Sequence, residues 1–573
     1  MSETAARGSH RHPPVPLRAP DEVMRLARLG SFHQTRLSFM RVLLRRIAAE
    51  RWSFSRPVFE IDECGVGHAV YALTRRDRTY SLVVFAHDLP AEQRSDRVIA
   101  EAWDATFALF DGVPTDADIT HLRDNVPKQE AGRYRASALV LARANRSVRL
   151  FDSVVAALAE GRQPDQRDLE ATGYLMRTTA VYGNGKFGIA DRAVYDDREE
   201  LAGPFQAEML TVWLIRAFTI DIVEHLARVR DRDRATRLAS HLRRGLGIGN
   251  ATGLGMAPFL VRHPVLIHNW IAARETALQR VRALPDADAG AIGVFRRCLG
   301  LAVHQVAGWR TDDPVQAPRI TRLVEDLAKL EAHTRDPDLW RRAQPWNALV
   351  TWGDTALTLE GQELLVSLVI EPHGAQVDSL AGGMVADEAA HFSIDGGQRV
   401  ADVLADLDRR FGWAQRIAFD TPHETARFWY VSEEKLEPRL GERHTEPGAE
   451  LEQPLAIARD VSALRATLIG APHDQILADF LLRHPEHRHA VRRVQTAASH
   501  PYAEVRDNLI GADLRAIDLL RCKLSFFGCT RFDPRSDKWL RITLYQGAPY
   551  PDEIGTDGVD WEHWIWRAGC DPQ

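Results

Sequence analysis

The chain has 573 residues, 45% hydrophobic and 27% charged, the balance of a folded protein rather than a disordered or membrane-embedded one, with room for about three or four domains. A formal charge of -6 gives no basis for an electrostatic nucleic-acid or membrane footprint, so no nucleic acid and no membrane are expected as partners. Five scattered cysteines, an odd number without a CxxC pair, argue against a disulfide framework and fit a reducing compartment.

Residues 1–20 are polar and contain Pro and Arg, and no apolar leader follows Met1; a disordered tail and a cytoplasmic location are expected. A helix follows near Asp21–Glu50. The segment Phe54–Asp88 reads as a β meander whose clearest part is a hairpin, His68–Leu73 and Tyr80–Ala86, around a charged turn. Helices are expected near Val98–Leu109, Tyr134–Leu158 and Leu169–Ala180 from their apolar spacing. From Pro204 to about Ala332 the pattern is helical, broken at Gly245–Gly255 and Pro285–Gly290. Its most apolar stretch, Met209–Val223, carries Arg216 and Asp221 and falls short of the ~20 apolar residues that a membrane span needs.

Strands are expected again at Asn347–Thr351 and in a second hairpin, Ala356–Thr358 with Leu364–Ile370 around Glu360-Gly361. A helix at Arg399–Phe411, a strand at Arg427–Val431 and a surface loop over Glu433–Gln453 come next. Helices at Ile457–Leu468, Asp474–His484 and about Ala503–Cys522 precede a last strand, Trp539–Tyr545. The expected class is therefore α+β and predominantly helical. Two weakly similar α/β halves, residues 21–200 and 336–573, each a β-hairpin followed by helices, flank an all-helical middle over 201–335. The ends of the halves correspond: Leu175-Met-Arg177, then Tyr182-Gly183, Lys186-Phe187 and Asp191, against Leu519-Leu-Arg521, then Phe527-Gly528, Arg531-Phe532 and Asp533.

Lysine is scarce, the set being Lys128, Lys186, Lys329, Lys435, Lys523 and Lys538, so a lysine carries more information here than an arginine. The first candidate site is Tyr182-Gly-Asn-Gly-Lys-Phe-Gly188 with Asp191-Arg192. Its glycines let backbone N–H groups approach a ligand, and Asn184 and Lys186 add a polar contact and a point charge for a carboxylate or phosphate. It lacks the GxxxxGK[ST] spacing of a P-loop; the plain alternative is a flexible connection. A second candidate, Gly245–Met256, has Asn250 and Thr252 as its polar side chains and precedes a helix that could orient an anion. The plain alternative there is close packing. The third is Arg521–Arg531, in which Arg521, Lys523 and Arg531 can clamp an anion, or simply end a helix in solvent.

His263 and His268, just after the second glycine run, are candidate general bases, although a histidine on an apolar helix is more often a hydrogen-bonded core residue. Glu388-Ala-Ala-His391 has E-x-x-H spacing, but no second such pair accompanies it. No G-x-S-x-G elbow occurs. The expectation is an enzyme with lyase, isomerase or transferase chemistry on a small anionic metabolite, without a tightly bound metal; no organic cofactor is named by the residues. Two alternatives stay open: a non-catalytic ligand-binding or assembly protein, and a metal-dependent oxidoreductase or hydrolase using Glu388 and His391. Self-association into a homo-oligomer also stays open.

Overall fold

The computed structural model describes residues 15–94, 102–126, 135–183, 198–250, 264–384, 393–417, 427–431, 438–442, 453–506, 516–528, 531–533 and 541–561. Its strands are β1 (Ser53–Ile61), β2 (Gly67–Arg75), β3 (Arg78–Ala86), β4 (Ala105–Asp111), β5 (Ala138–Arg146), β6 (Tyr174–Gly183), β7 (Gly247–Asn250), β8 (Arg427–Val431), β9 (Pro438–Glu442), β10 (Arg531–Asp533) and β11 (Arg541–Leu544). The longer helices in chain order are α1 (Phe39–Ala49), α2 (Asp116–Asn125), α3 (Phe151–Ala159), α4 (Gln166–Thr172), α5 (Gln206–Arg230), α6 (Pro264–Arg282), α7 (Ala289–Ala307) and α8 (Gln316–Thr334). They continue with α9 (Pro345–Ala356), α10 (Leu359–Ile370), α11 (Val400–Phe411), α12 (Gln453–Ile469), α13 (Leu477–Arg483), α14 (Arg488–Ser499) and α15 (Ala516–Cys522). The protein is thus a helix-rich α+β fold. Among the described residues, no helix is long and apolar enough to cross a membrane.

One nine-stranded sheet runs in the order β1-β2-β3-β4-β5-β6-β7-β11-β10. Neighbours are antiparallel except β6 and β7, which are parallel. The meander β1–β3 is the hairpin region expected from its Val-, Tyr- and Leu-rich arms around a charged turn. Beyond it the sequence misleads. The helices expected at Val98–Leu109, Tyr134–Leu158 and Leu169–Ala180 give way to β4, to β5 followed by α3, and to α4 followed by β6.

The physical reason is burial on both faces. On β3, Leu82 and Val84 face the main core, while Val83 and Phe85 belong to a second core on the opposite side with Ile119 and Leu122 of α2. A strand covered on both sides has no polar face, so its period of two disappears, and β5 (Ala-Leu-Val-Leu-Ala) reads as a helix.

The second expected hairpin is also absent: Asn347–Thr351 lies in α9, and Leu364–Ile370 in α10. Thr358 caps α10 by accepting the Gly361 N–H, so the Glu360-Gly361 pair read as a turn is a first helical turn. Without that hairpin the two halves do not share an element order. The sheet also draws strands from each of the three expected units, β7 from the middle and β10 and β11 from the C-terminal part.

The buried α5 packs against β3 through β7, as the apolar stretch Met209–Val223 requires. Its Arg216 is taken up by main-chain carbonyls, Nε donating to Leu246 O at 2.7 Å and Nη1 to Ala548 O at 2.7 Å. Helices α11–α14 enclose a separate core around Val403, Leu407, Leu464, Phe480 and Val491. Val15 and Arg18, placed by composition in the tail, are held by the fold: Val15 is buried, and Arg18 is tied to Glu275 and Glu363. The stretch Ser31–Ser38 lies inside with Ser31, His33, Gln34, Thr35, Arg36 and Ser38 all buried.

Candidate functional site

One sheet carries parts of the three sequence candidates: Tyr182-Gly183 ends β6, Gly247–Asn250 is β7 and Arg531 opens β10. Thr178 of β6 pairs with Asn250 of β7, Asn250 with Ile542 of β11, and Ile542 with Phe532 of β10. Because β6 and β7 are parallel, both leave the sheet at the same end. The antiparallel steps put the start of β11 and the end of β10 there as well. At the ~4.8 Å spacing of adjacent strands, this row spans roughly 14 Å. In sequence β6 is followed by Asn184, Lys186, Asp191 and Arg192, and β7 by Thr252 and His263. Those six residues lie outside the described residues, as do Glu388 and His391. Arg531 opens β10, its Cα opposite Thr543.

The described candidates have definite roles. Asn250 is buried, and its Nδ2 donates to Thr178 Oγ1 at 3.0 Å, while Thr178 Oγ1 donates to Gly249 O at 3.3 Å. This locks the parallel pair β6–β7. The glycines preceding it serve contact: a Cβ on Gly249 would lie 2.8 Å from the Tyr174 ring, and one on Gly247 would lie 2.3 Å from Leu544 O. The run expected as a glycine loop is, over Gly247–Asn250, a strand.

Arg521 corrects the expected clamp. Its guanidinium is buried; Nη1 donates to Ala27 O, Nη2 to Leu26 O at 2.7 Å, and Nη2 also faces Asp518. It staples the N-terminal segment rather than meeting a ligand. Lys523 is likewise buried, inside the π-helical turn Lys523–Phe527.

His268, on the first turns of α6, accepts the Tyr502 backbone N–H on Nδ1 at 3.0 Å and stacks on the Tyr502 ring. With Nδ1 accepting, the proton of the neutral ring sits on Nε2. Burial, reinforced by His500, lowers the His268 pKa to about 4. It is a packing histidine whose lone pair is already engaged. No family model, curated protein or solved structure matches this chain.

Sequence reasoning missed a buried arginine–carboxylate cluster. Arg18 Nε donates to Glu275 Oε2 at 2.7 Å, and Arg18 Nη1 to Glu363 Oε1 at 2.7 Å. Arg28 and Arg274 also meet Glu363, at 3.2 and 3.1 Å. Nearby, Arg41 bonds Glu371 and Arg36 bonds Asp378. Burial would raise the Glu363 carboxyl, but Arg18 and Arg274 outweigh it and hold the pKa at about 2. One signal was available: Glu363 and Glu371 bracket a largely apolar segment, Leu364–Ile370.

Proposed function

We propose that the chain binds a small anionic metabolite, a carboxylate or phosphate, beside the run of strands from β6 to β10. Lys186, Asn184 and Arg531 supply the charge and hydrogen bonds for the anion. Lyase, isomerase or transferase chemistry without a tightly bound metal fits these residue types. The observation supporting this reading is the register Thr178–Asn250–Ile542–Phe532, which sets β7 and β10 in the same sheet as β6, one and three places away from it. His263 is the base preferred in this scheme, because the His268 Nδ1 already accepts a backbone N–H.

A thermal-shift screen against small carboxylates and phosphates tests it. Acids that raise the melting temperature of the wild type lose that effect in Lys186→Ala, by tenfold or more in apparent Kd. Equal stabilisation of both proteins removes the site. A second reading, non-catalytic binding or assembly, is favoured by the packing roles of Arg521 and His268. A ligand that binds through Lys186 and is recovered unchanged after prolonged incubation decides for it.

A further inference from the structure

Helices α11–α14 enclose a core of their own, distinct from the main core around the sheet. Of this four-helix module, α14 lies against α6 of the main body. Residues 500–506, which follow α14, are the strap between the two. Tyr502 is buried in the main core, and its hydroxyl donates to Arg18 O at 2.7 Å. The Arg506 N–H donates to Met24 O at 2.7 Å. On the module side, Arg493 of α14 bonds Glu504 of the strap.

The strap meets the body at His268. The Tyr502 N–H donates to His268 Nδ1 at 3.0 Å, and the His268 ring stacks on the Tyr502 ring. The His500 ring stands edge-on to it, with centroids 5.0 Å apart and planes at 88°. His500 Nδ1 donates to Thr496 O at 3.2 Å, which ties that ring to the end of α14. One imidazole therefore comes from each side of the junction.

This junction works only with a neutral His268. Protonation puts an N–H on both ring nitrogens, so Nδ1 becomes a donor facing the Tyr502 N–H. The new cation also has no answering charge. His500 is the titratable group that acts on His268, and no carboxylate pairs with it among the described residues. Glu275 and Arg274 of α6 and Arg18 of the N-terminal segment act on the Tyr502 phenol instead, and Glu504 is engaged with Arg493.

From this geometry we infer that His268 is an acid-sensitive latch, which fastens residues 500–506 to α6 when neutral and releases the α11–α14 module when protonated. The separate cores allow release without unfolding, because a unit with its own hydrophobic interior can detach whole. Burial and His500 hold the closed His268 at about 4. A depressed histidine gives closure that is complete above its ordinary value near 6.5 and is lost as pH falls toward 4. Those two values weaken closure about tenfold between about pH 7.5 and 5.5. Lys186, Asn184, Arg531 and His263 play no part in the latch, so it does not rest on the anion assignment.

Hydrogen exchange of the full-length protein, read by mass spectrometry and corrected for the intrinsic effect of pH, tests the latch. From about pH 7.5 to 5.5, peptides covering residues 500–506 lose protection roughly tenfold. Peptides from β3 and α11, inside the two cores, keep theirs. In His268→Asn the side-chain oxygen still accepts the Tyr502 N–H but does not titrate, so the strap stays protected. If circular dichroism shows that variant unfolded, His500→Gln replaces it; without the second imidazole the loss of protection moves to lower pH. A wild-type strap that stays protected at the lower pH overturns the inference, as does one that loses protection together with both cores. So does a loss with the wild-type pH dependence in His268→Asn or, in its place, in His500→Gln.

Discussion

A carboxylate placed among apolar neighbours has to be answered by charge, and Glu363 shows how strongly. It is fully buried on α10 and receives Arg18, Arg28 and Arg274, drawn from the N-terminal segment and from α6. Burying ions is expensive, and removing one member of a buried pair leaves the others uncompensated. Glu363→Gln is therefore expected to destabilise the protein by about 3 kcal/mol, read as a lower urea midpoint at unchanged slope. A loss below about 1 kcal/mol would mean that Glu275 alone satisfies the arginines. The same logic explains why Arg521 failed as a ligand residue: a guanidinium with main-chain carbonyls on two sides has little left to offer a substrate.

At the scale of one element, the short strand β7 decides whether the sheet continues from β6 to β11. Its glycines are read most simply as space. Thr543 and Leu544 run along one side of it, and the Tyr174 ring covers Gly249. Gly249→Ala sets a Cβ 2.8 Å from that ring, and relieving the overlap costs about 1–3 kcal/mol. If this contact is the cause, Tyr174→Ala and Gly249→Ala are not additive, and the double variant recovers part of the loss in thermal unfolding. Additive losses would place the strain elsewhere in β7. The element also carries the Asn250–Thr178 contact that sets the register between β6 and β7.

The whole molecule responds to pH through its interior. His33 is buried with neither ring nitrogen hydrogen-bonded, and burial lowers its pKa to about 4 against the opposing pull of Glu371. His268 and His373 are lowered to about 4 mainly by burial as well. A depressed histidine pKa gives stability that is complete above the unfolded value near 6.5 and is lost as pH falls toward 4. The fall therefore begins well above the carboxylate range. Below about 4.5 the carboxyls act in opposite senses: arginine partners hold Glu363 and Glu371 low, whereas burial raises Asp354 and Glu504. Urea midpoints between pH 7 and 4 are expected to fall, with His33 alone contributing on the order of 3 kcal/mol. His33→Phe flattens that slope with little loss at pH 7, because it removes unpaired polar atoms from the interior. An unchanged slope would assign the effect to the other histidines.

The amino-acid sequence by itself determined the helix-rich α+β class, the β1–β3 meander, the buried α5 and the positions of α11 and α12. In those places strand-forming residues flank a charged turn, a helix has one apolar face, or a single helix is apolar throughout, and composition, period or length is enough. It also singled out the segments around Lys186, Asn250 and Arg531. Only the tertiary structure decided that β4, β5 and β6 are strands, because a sheet covered on both faces erases the alternation that marks it. Only the tertiary structure could bring β7 beside β6 and β11 beside β7, since pairing such as that of Asn250 with Ile542 joins distant residues and leaves no local trace in composition. It likewise spent Arg521 and His268 on packing and gathered Arg18, Glu275 and Glu363, where long-range charge pairing under burial outweighs any preference written in neighbouring residues.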